Sequence, residues 1–467
     1  MSFRTPTLLE SLIPLFAIAL FLGVGYGVLG IRAEILLLAA TAVASALAWR
    51  MGYRYKDLEE GIIASMMKGM PAMLIVIVVG ALIGSWIASG TIPMLIYYGL
   101  EIISPKYFLV TACLVSAVVS LVTGTSYGTV GTIGVAFVGI AEGLGIPLGQ
   151  AAGAIVAGAY FGDKLSPFSD TTNLAPIAVQ GNLYDHIRHT LWTTTPAMLL
   201  GLIVYFYLGL TRHSDGSSIV PAAIEMQETI VANFTFHPLL ILPPVITLTL
   251  AIMRKPVIPG MLLASLVASI LAMVYQGAVF KEAMNVMVIG YHGITGSEMV
   301  DLLLQRGGML SMMNVKLIAF CAFAFGGVIQ HTGMLAVILQ ALTRFANTTG
   351  RLVLTAVTAS ITTAVMTGSS FLSILIPGEL FAPAFKKHKL AAKNLSRTTE
   401  DSGTVIVPLV PWSIAGVFMA ATLNVPVISY APWAILCYTG FIFAIIYGYT
   451  GIGIAPKIRD DETQPGS

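Results

Sequence analysis

The sequence predicts an all-α polytopic membrane protein made of two related halves, and three observations carry that prediction. Hydrophobic residues make up 57% of the 467 residues and charged residues only 10%, against roughly 25% charged in soluble domains; mean hydropathy is +0.88. Apolar stretches of spanning length recur along the whole chain. One short polar motif occurs twice, as Thr123-Gly124-Thr125-Ser126 and Thr367-Gly368-Ser369-Ser370, each time interrupting such a stretch.

Arg4 precedes an apolar run from Leu12 to Leu29. That run is longer than a signal-peptide core, so it reads as a first, uncleaved transmembrane helix. Further spans follow near 34–49, 69–89, 107–123, 190–210, 236–253, 258–276, 315–331, 351–366, 403–423 and 427–449. Shorter apolar pieces lie between 90 and 180, around 283–294 and between 334 and 384. At ~20 residues per span the expectation is about 11–13 membrane segments. A polar connector from His213 to Asn233 divides the chain. Residues 1–211 form a first repeat, 212–235 the connector, 236–455 a second repeat and 456–467 a polar tail.

Weak internal matches support the duplication. Val43-Ala-Ser-Ala-Leu-Ala48 matches Val267-Ala-Ser-Ile-Leu-Ala272, and Gly90-Thr-Ile-Pro-Met-Leu-Ile96 resembles Gly333-Met-Leu-Ala-Val-Ile338. Gly90 precedes Gly124 by 34 residues and Gly333 precedes Gly368 by 35.

Charge then orients the halves, because Lys- and Arg-rich loops stay cytoplasmic. Arg50, Arg54, Lys56 and Lys68 follow the second span, which puts that loop and the N-terminus inside. Lys386, Lys387, Lys389, Lys393 and Arg397 follow the second polar motif, whereas Gly139 to Gly162, the matching stretch after the first, has neither Lys nor Arg. Arg254 and Lys255 follow the second repeat's first span. The halves therefore read as inverted repeats, an arrangement that builds a midplane site at their interface and exposes it to each side in turn.

Composition excludes several function classes. A net charge of +2 gives no reason to expect nucleic acid, and no metal-hydrolase, Walker or dinucleotide pattern occurs. Cys113, Cys321 and Cys437 lie within apolar stretches and read as small buried hydrophobes. Gly124-Thr-Ser126-Tyr-Gly128 fits a nucleophile elbow in letters only, since the strand-turn-helix that motif needs is missing. Phe161-Gly-Asp163 and Tyr184-Asp185 stand in the wrong order for an intramembrane aspartyl protease.

Two polar clusters carry chemistry. The first is Asp163-Lys164-Leu-Ser166-Pro167-Phe-Ser169-Asp170-Thr171-Thr172-Asn173-Leu-Ala-Pro176, and the second Glu400-Asp401-Ser402-Gly403-Thr404-Val-Ile-Val-Pro408. In each, an acid and hydroxyls precede a proline, which removes a backbone donor and frees a carbonyl one turn earlier. Carboxylate, hydroxyl and carbonyl oxygens can replace the hydration shell of a small monovalent cation. An acid inside a membrane segment is costly and marks a functional site by default. The bland alternatives are packing for the glycine-serine motifs, helix-end or ion-pair roles for Asp163 with Lys164, and an interfacial place for Glu400. Glu379 reads equally as facing a cavity or a loop. His186, Arg188 and His189 read as an interfacial basic cluster, and Trp86, Trp192, Trp412 and Trp433 as interface anchors.

The Gly-Asp163-Lys-x-Ser-Pro-x-Ser-Asp170-Thr-Thr-Asn-Leu-Ala-Pro run, with Gly181-Asn182-Leu-Tyr184-Asp185-His186-Ile-Arg188-His189 leading into Trp192-Thr-Thr-Thr-Pro196, resembles the NhaC-type sodium/proton antiporter family. The likeness covers most of the chain. It implies exchange of Na+ for H+ in a bacterial inner membrane, with no cofactor. Close relatives exchange Na+ and H+ together with malate and lactate, which leaves a coupled organic-anion exchanger as the alternative; Lys164 is a weak hint of a carboxylate site. The resemblance also implies re-entrant hairpins with tips at Thr123–Ser126 and Thr367–Ser370, elevator-type movement, and a homodimer. Asp170 is the first choice for the carboxylate shared by Na+ and H+, followed by Asp163 and Asp401, with Ser169, Thr171, Thr172, Asn173, Ser402 and Thr404 as oxygen ligands. Ser169–Asn173 and Asp401–Thr404 are the expected unwound segments.

Overall fold

The computed structural model describes residues 4–211, 219–253 and 255–456, and among them it is helical throughout. Residues 212–218 of the expected connector, Arg254 and the C-terminal tail beyond Pro456 lie outside the described residues, and most of the remaining connector is helical. Helix α1, Leu8–Leu20, continues as a π-helical turn through Tyr26; α2 is Ala33–Arg50 and α3, Tyr55–Ala88, is the longest. Then come α4 (Thr91–Ile102), α5 (Phe108–Thr123), α6 (Ser126–Thr129), α7 (Val135–Gly143), α8 (Leu148–Leu165), α9 (Asp170–Ala178) and α10 (Leu183–Thr211). The second half holds α11 (Ile219–Asn233), α12 (Leu242–Ile252), α13 (Val257–Tyr275), α14 (Phe280–Ile289), α15 (Glu298–Leu304), α16 (Met313–His331) and α17 (Met334–Thr343). It closes with α18 (Thr349–Thr367), α19 (Ser370–Lys387), α20 (Ala392–Gly403), α21 (Ile414–Leu423), α22 (Val427–Tyr430) and α23 (Leu436–Thr450).

Seven of these segments are long and apolar enough to cross a membrane, and up to eleven if each bent helix pair counts as one span. The bends have local causes. Gly90 and Gly333 both adopt left-handed backbone, φ 85° and 76°, between α3 and α4 and between α16 and α17. That conformation is costly for any residue with a Cβ. The stretch read as one span over 403–423 is instead two helices, α20 and α21, meeting at 46°. Pro408 and Pro411 lie between them and cannot donate to a continuing helix. Lys56 and Lys68, taken as loop residues in the orientation argument, lie on α3.

Close helix contact fixes α8 against α5. A Cβ added at Gly158 would collide with the Cys113 carbonyl, and one at Gly162 with the Ala117 carbonyl. This four-residue small-residue spacing lets backbones approach, as membrane helices favour. The Ser120 hydroxyl then reaches the Ala159 carbonyl at 2.5 Å. The approach carries the end of α8, with Asp163 and Lys164, to the level of the first polar motif.

Candidate functional site

The two polar motifs form the same local structure. Helix α5 ends at Thr123, Gly124 turns left-handed at φ 69°, and Thr125 caps α6 by accepting from the Gly128 amide at 3.2 Å. Helix α18 ends at Thr367, Gly368 turns at φ 63°, and Ser369 caps α19 by accepting from the Leu372 amide at 3.4 Å. Each corner rests on a break in a later helix of its own half. A Cβ on Gly124 would lie 2.7 Å from Cβ of Phe168, between α8 and α9. A Cβ on Gly368 would lie 3.2 Å from Cα of Ser413, between α20 and α21. The Ile414 amide donates to the Gly368 carbonyl at 3.3 Å, and the Trp412 indole donates to the Val365 carbonyl at 2.8 Å.

Both corners line one cavity of about 820 Å³, whose wall includes Thr123, Gly124, Thr125, Ser126, Gly368, Ser369 and Ser370. Asp163, Ser169, Asp170, Thr171, Asn173 and Thr404 share that wall. Asp163 is buried at 8% exposure, and the Ser126 and Ser169 hydroxyls with the Ser126 amide face its carboxylate. Ser169 lies 3.1 Å from the Thr171 hydroxyl, and the Asn173 amide donates to the carbonyls of Pro167 and Ser169 at 2.8 and 2.7 Å. The Thr404 hydroxyl is buried with no hydrogen-bond partner. Asp170 is exposed on the first turn of α9.

Four of the expected site residues stand off the cavity wall. Thr367 donates to its own helix at the Thr363 carbonyl, 2.7 Å away, and Ser402 donates to the Thr398 carbonyl at 2.6 Å. Asp401 forms an ion pair with Lys164, both side chains buried. Thr172 is buried and donates towards Glu400. The backbone breaks are also displaced from the expected segments. Asp170–Asn173 form the first turn of α9, because Ser169 caps it, and the break falls at Ser166–Ser169. Asp401–Gly403 end α20, and only Thr404 lies past it.

Three further readings are corrected. His186 and His189 are buried within the bundle, not interfacial; His186 faces Glu400 and Ser396, and His189 faces Asn394 at 3.0 Å. Glu400 is fully buried. Trp86 is fully buried in the bundle, where an interface anchor was expected. Arg188 and Glu379 are exposed, and all three cysteines are free and buried. Sequence reasoning missed Lys68 and Lys255 as cavity-lining residues. Their separation in sequence gave no signal that they converge.

A carboxylate-bearing cavity lined by broken helices in a multi-pass membrane protein fits a secondary transporter. Comparison with known proteins names the family. The family model described as "Na+/H+ antiporter family" matches residues 158–452. An uncharacterized Na+/H+ antiporter of Haemophilus influenzae is 46% identical over 97% of this chain and 98% of its own length. The Na+/H+ antiporter NhaC of Alkalihalophilus pseudofirmus is 40% identical over 92% and 93%. The malate-2H+/Na+-lactate antiporter of Bacillus subtilis is 36% identical over 96% of each. The chain belongs to the NhaC-type Na+/H+ antiporter family.

Proposed function

We propose that this protein exchanges Na+ for H+ by alternating access, with Asp163 as the carboxylate that both ions share. The observation that carries this reading is a buried acid on the wall of a cavity lined by both glycine corners, faced by hydroxyls from α6 and the α8–α9 break. Na+ binds the ionised carboxylate with the Ser126 and Ser169 oxygens, and a proton displaces it. Only the neutralised site crosses the apolar barrier, since an uncompensated charge there is expensive. Asp170, exposed on the same wall, attracts cations to the site and stands second as the shared carboxylate. Asp401 ranks third, since Lys164 already neutralises it.

In this reading residues 1–211 and 236–455 are inverted repeats. Their corners act as hairpin tips, and these move together against a dimeric scaffold in a bacterial inner membrane with the N-terminus inside. Purified protein in liposomes loaded with a pH dye tests the exchange. Na+ should drive proton movement in the parent and in Asp170→Asn, at reduced affinity in the latter, and Asp163→Asn should abolish it. Full activity of Asp163→Asn would refute the assignment.

One observation favours a second reading. A cavity of about 820 Å³ is ample for a small organic acid, and Lys68 and Lys255 line it. A requirement for malate or lactate in the same liposomes would make this an organic-anion exchanger coupled to Na+ and H+.

A further inference from the structure

Each glycine corner is followed by a serine and then an aromatic residue, Ser126-Tyr127 and Ser370-Phe371, and the two rings take different places. Phe371 stands on the cavity wall at 43% exposure. Tyr127 also borders the cavity, but its ring is half-buried and packs against the second half of the chain. The ring centroid lies 4.7 Å from that of Phe418 on α21, with the planes tilted by 45°. Aromatic pairs at this separation attract one another beyond the area they bury.

The Tyr127 ring reaches the support of the other corner. It packs against a cluster of Ala364, Val407 and Ala415 and against a second cluster that includes Ile414. Ala364 and Ile414 are both hydrogen-bonded to the backbone of Gly368. The Gly368 amide donates to the Ala364 carbonyl at 2.8 Å, and the Ile414 amide donates to the Gly368 carbonyl at 3.3 Å. Packing continues along the same elements: a Cβ on Gly134, about two turns beyond Tyr127, would lie 3.2 Å from the Leu423 side chain at the end of α21.

The other end of this connection is the ion site proposed above. Ser126, the residue before Tyr127, turns its amide and hydroxyl to the Asp163 carboxylate. Ser126 and Tyr127 share the first turn of α6, whose start is fixed by the Thr125 cap. A shift of Ser126 towards a bound cation therefore carries the ring with it, and a densely packed interior passes such a shift on rather than absorbing it.

We propose that Tyr127 is the positioning residue that couples the two corners, so that Na+ held at Asp163 in the first half acts through this ring on α21 and on the Gly368 corner of the second. The proposal rests on the exchange reading above. Its test uses the full-length protein with a single added cysteine and a membrane-impermeant maleimide, the labelling rate being measured with and without Na+. Thr125→Cys reports the first corner and Ser370→Cys the second. With Tyr127 intact, Na+ should slow labelling at both. Tyr127→Ala should keep the protection of Thr125→Cys and reduce that of Ser370→Cys by roughly tenfold, inside the range of about 5–150-fold usual for coupled sites. Tyr127→Phe, which retains the ring, should restore it. The same two variants in liposomes should lose and regain maximal Na+-driven proton movement.

Undiminished protection of Ser370→Cys in Tyr127→Ala overturns the proposal. So does its loss in Tyr127→Phe, which would assign the effect to the hydroxyl, or loss at both corners together, which would mean general loosening. A protein with Tyr127 intact that exchanges Na+ for H+ yet shows no protection of Ser370→Cys overturns it as well. Should Tyr127→Ala fail to fold, Phe418→Leu removes the facing ring and should weaken protection at Ser370→Cys alone; an unchanged ratio overturns the proposal. A parent that moves no protons in response to Na+ refutes the exchange reading instead.

Discussion

The Lys164 ammonium of α8 and the Asp401 carboxylate of α20 form an ion pair whose side chains are 3% and 0% exposed, one from each half of the chain. Removing one partner of such a pair strands a buried charge at a cost of about 3–5 kcal/mol, whereas removing both is far milder. Lys164→Met and Asp401→Asn should each lower the melting temperature of the detergent-solubilised protein sharply. The double variant should recover most of the loss, as a thermal melt of all four proteins would show.

Ser126 and Ser169 face Asp163 from two different elements. A hydrogen bond to a charged group contributes about 1.5–3 kcal/mol. Ser126→Ala and Ser169→Ala should therefore weaken apparent Na+ affinity by roughly 10-fold or more, with maximal exchange less affected. Initial rates against Na+ concentration give the answer.

Gly124 and Gly368 occupy left-handed backbone where a side chain costs on the order of 1–2 kcal/mol. Gly124→Ala should be the worse of the two, because its Cβ would lie 2.7 Å from Phe168, against 3.2 Å from Ser413 for Gly368→Ala. Folded yield and Na+-driven proton flux should rank the variants in that order.

Gly162 meets the α5 backbone with no room for a methyl group. Overpacking of this kind costs ~1–3 kcal/mol, and here it also displaces Asp163 next door. Gly162→Ala should lose exchange before it loses its fold, so a well-folded variant by size-exclusion chromatography should still show depressed flux.

The native cysteines are buried, so a membrane-impermeant maleimide should leave the parent unlabelled. Single cysteines at Thr125 and Ser370 should be labelled from the aqueous phase, and Na+ should protect both together. Protection of one alone would mean that the two corners do not share a site.

Sequence alone determined the membrane-spanning helical class, the two glycine corners and the polar runs that hold the site, because hydropathy, left-handed glycine and proline act through local backbone chemistry. It also put Asp163, Ser169 and Thr404 among the ligand candidates. Only tertiary structure decided which acid each cluster offers to the cavity. Asp163, Asp170 and Asp401 look alike as letters, yet burial against Ser126, exposure on α9 and pairing with Lys164 set them apart. His186 and Glu400 lie more than two hundred residues apart in the chain and read as interfacial until α10 and α20 pack together. Electrostatic role depends on distance through space, and a linear pattern carries no record of that distance.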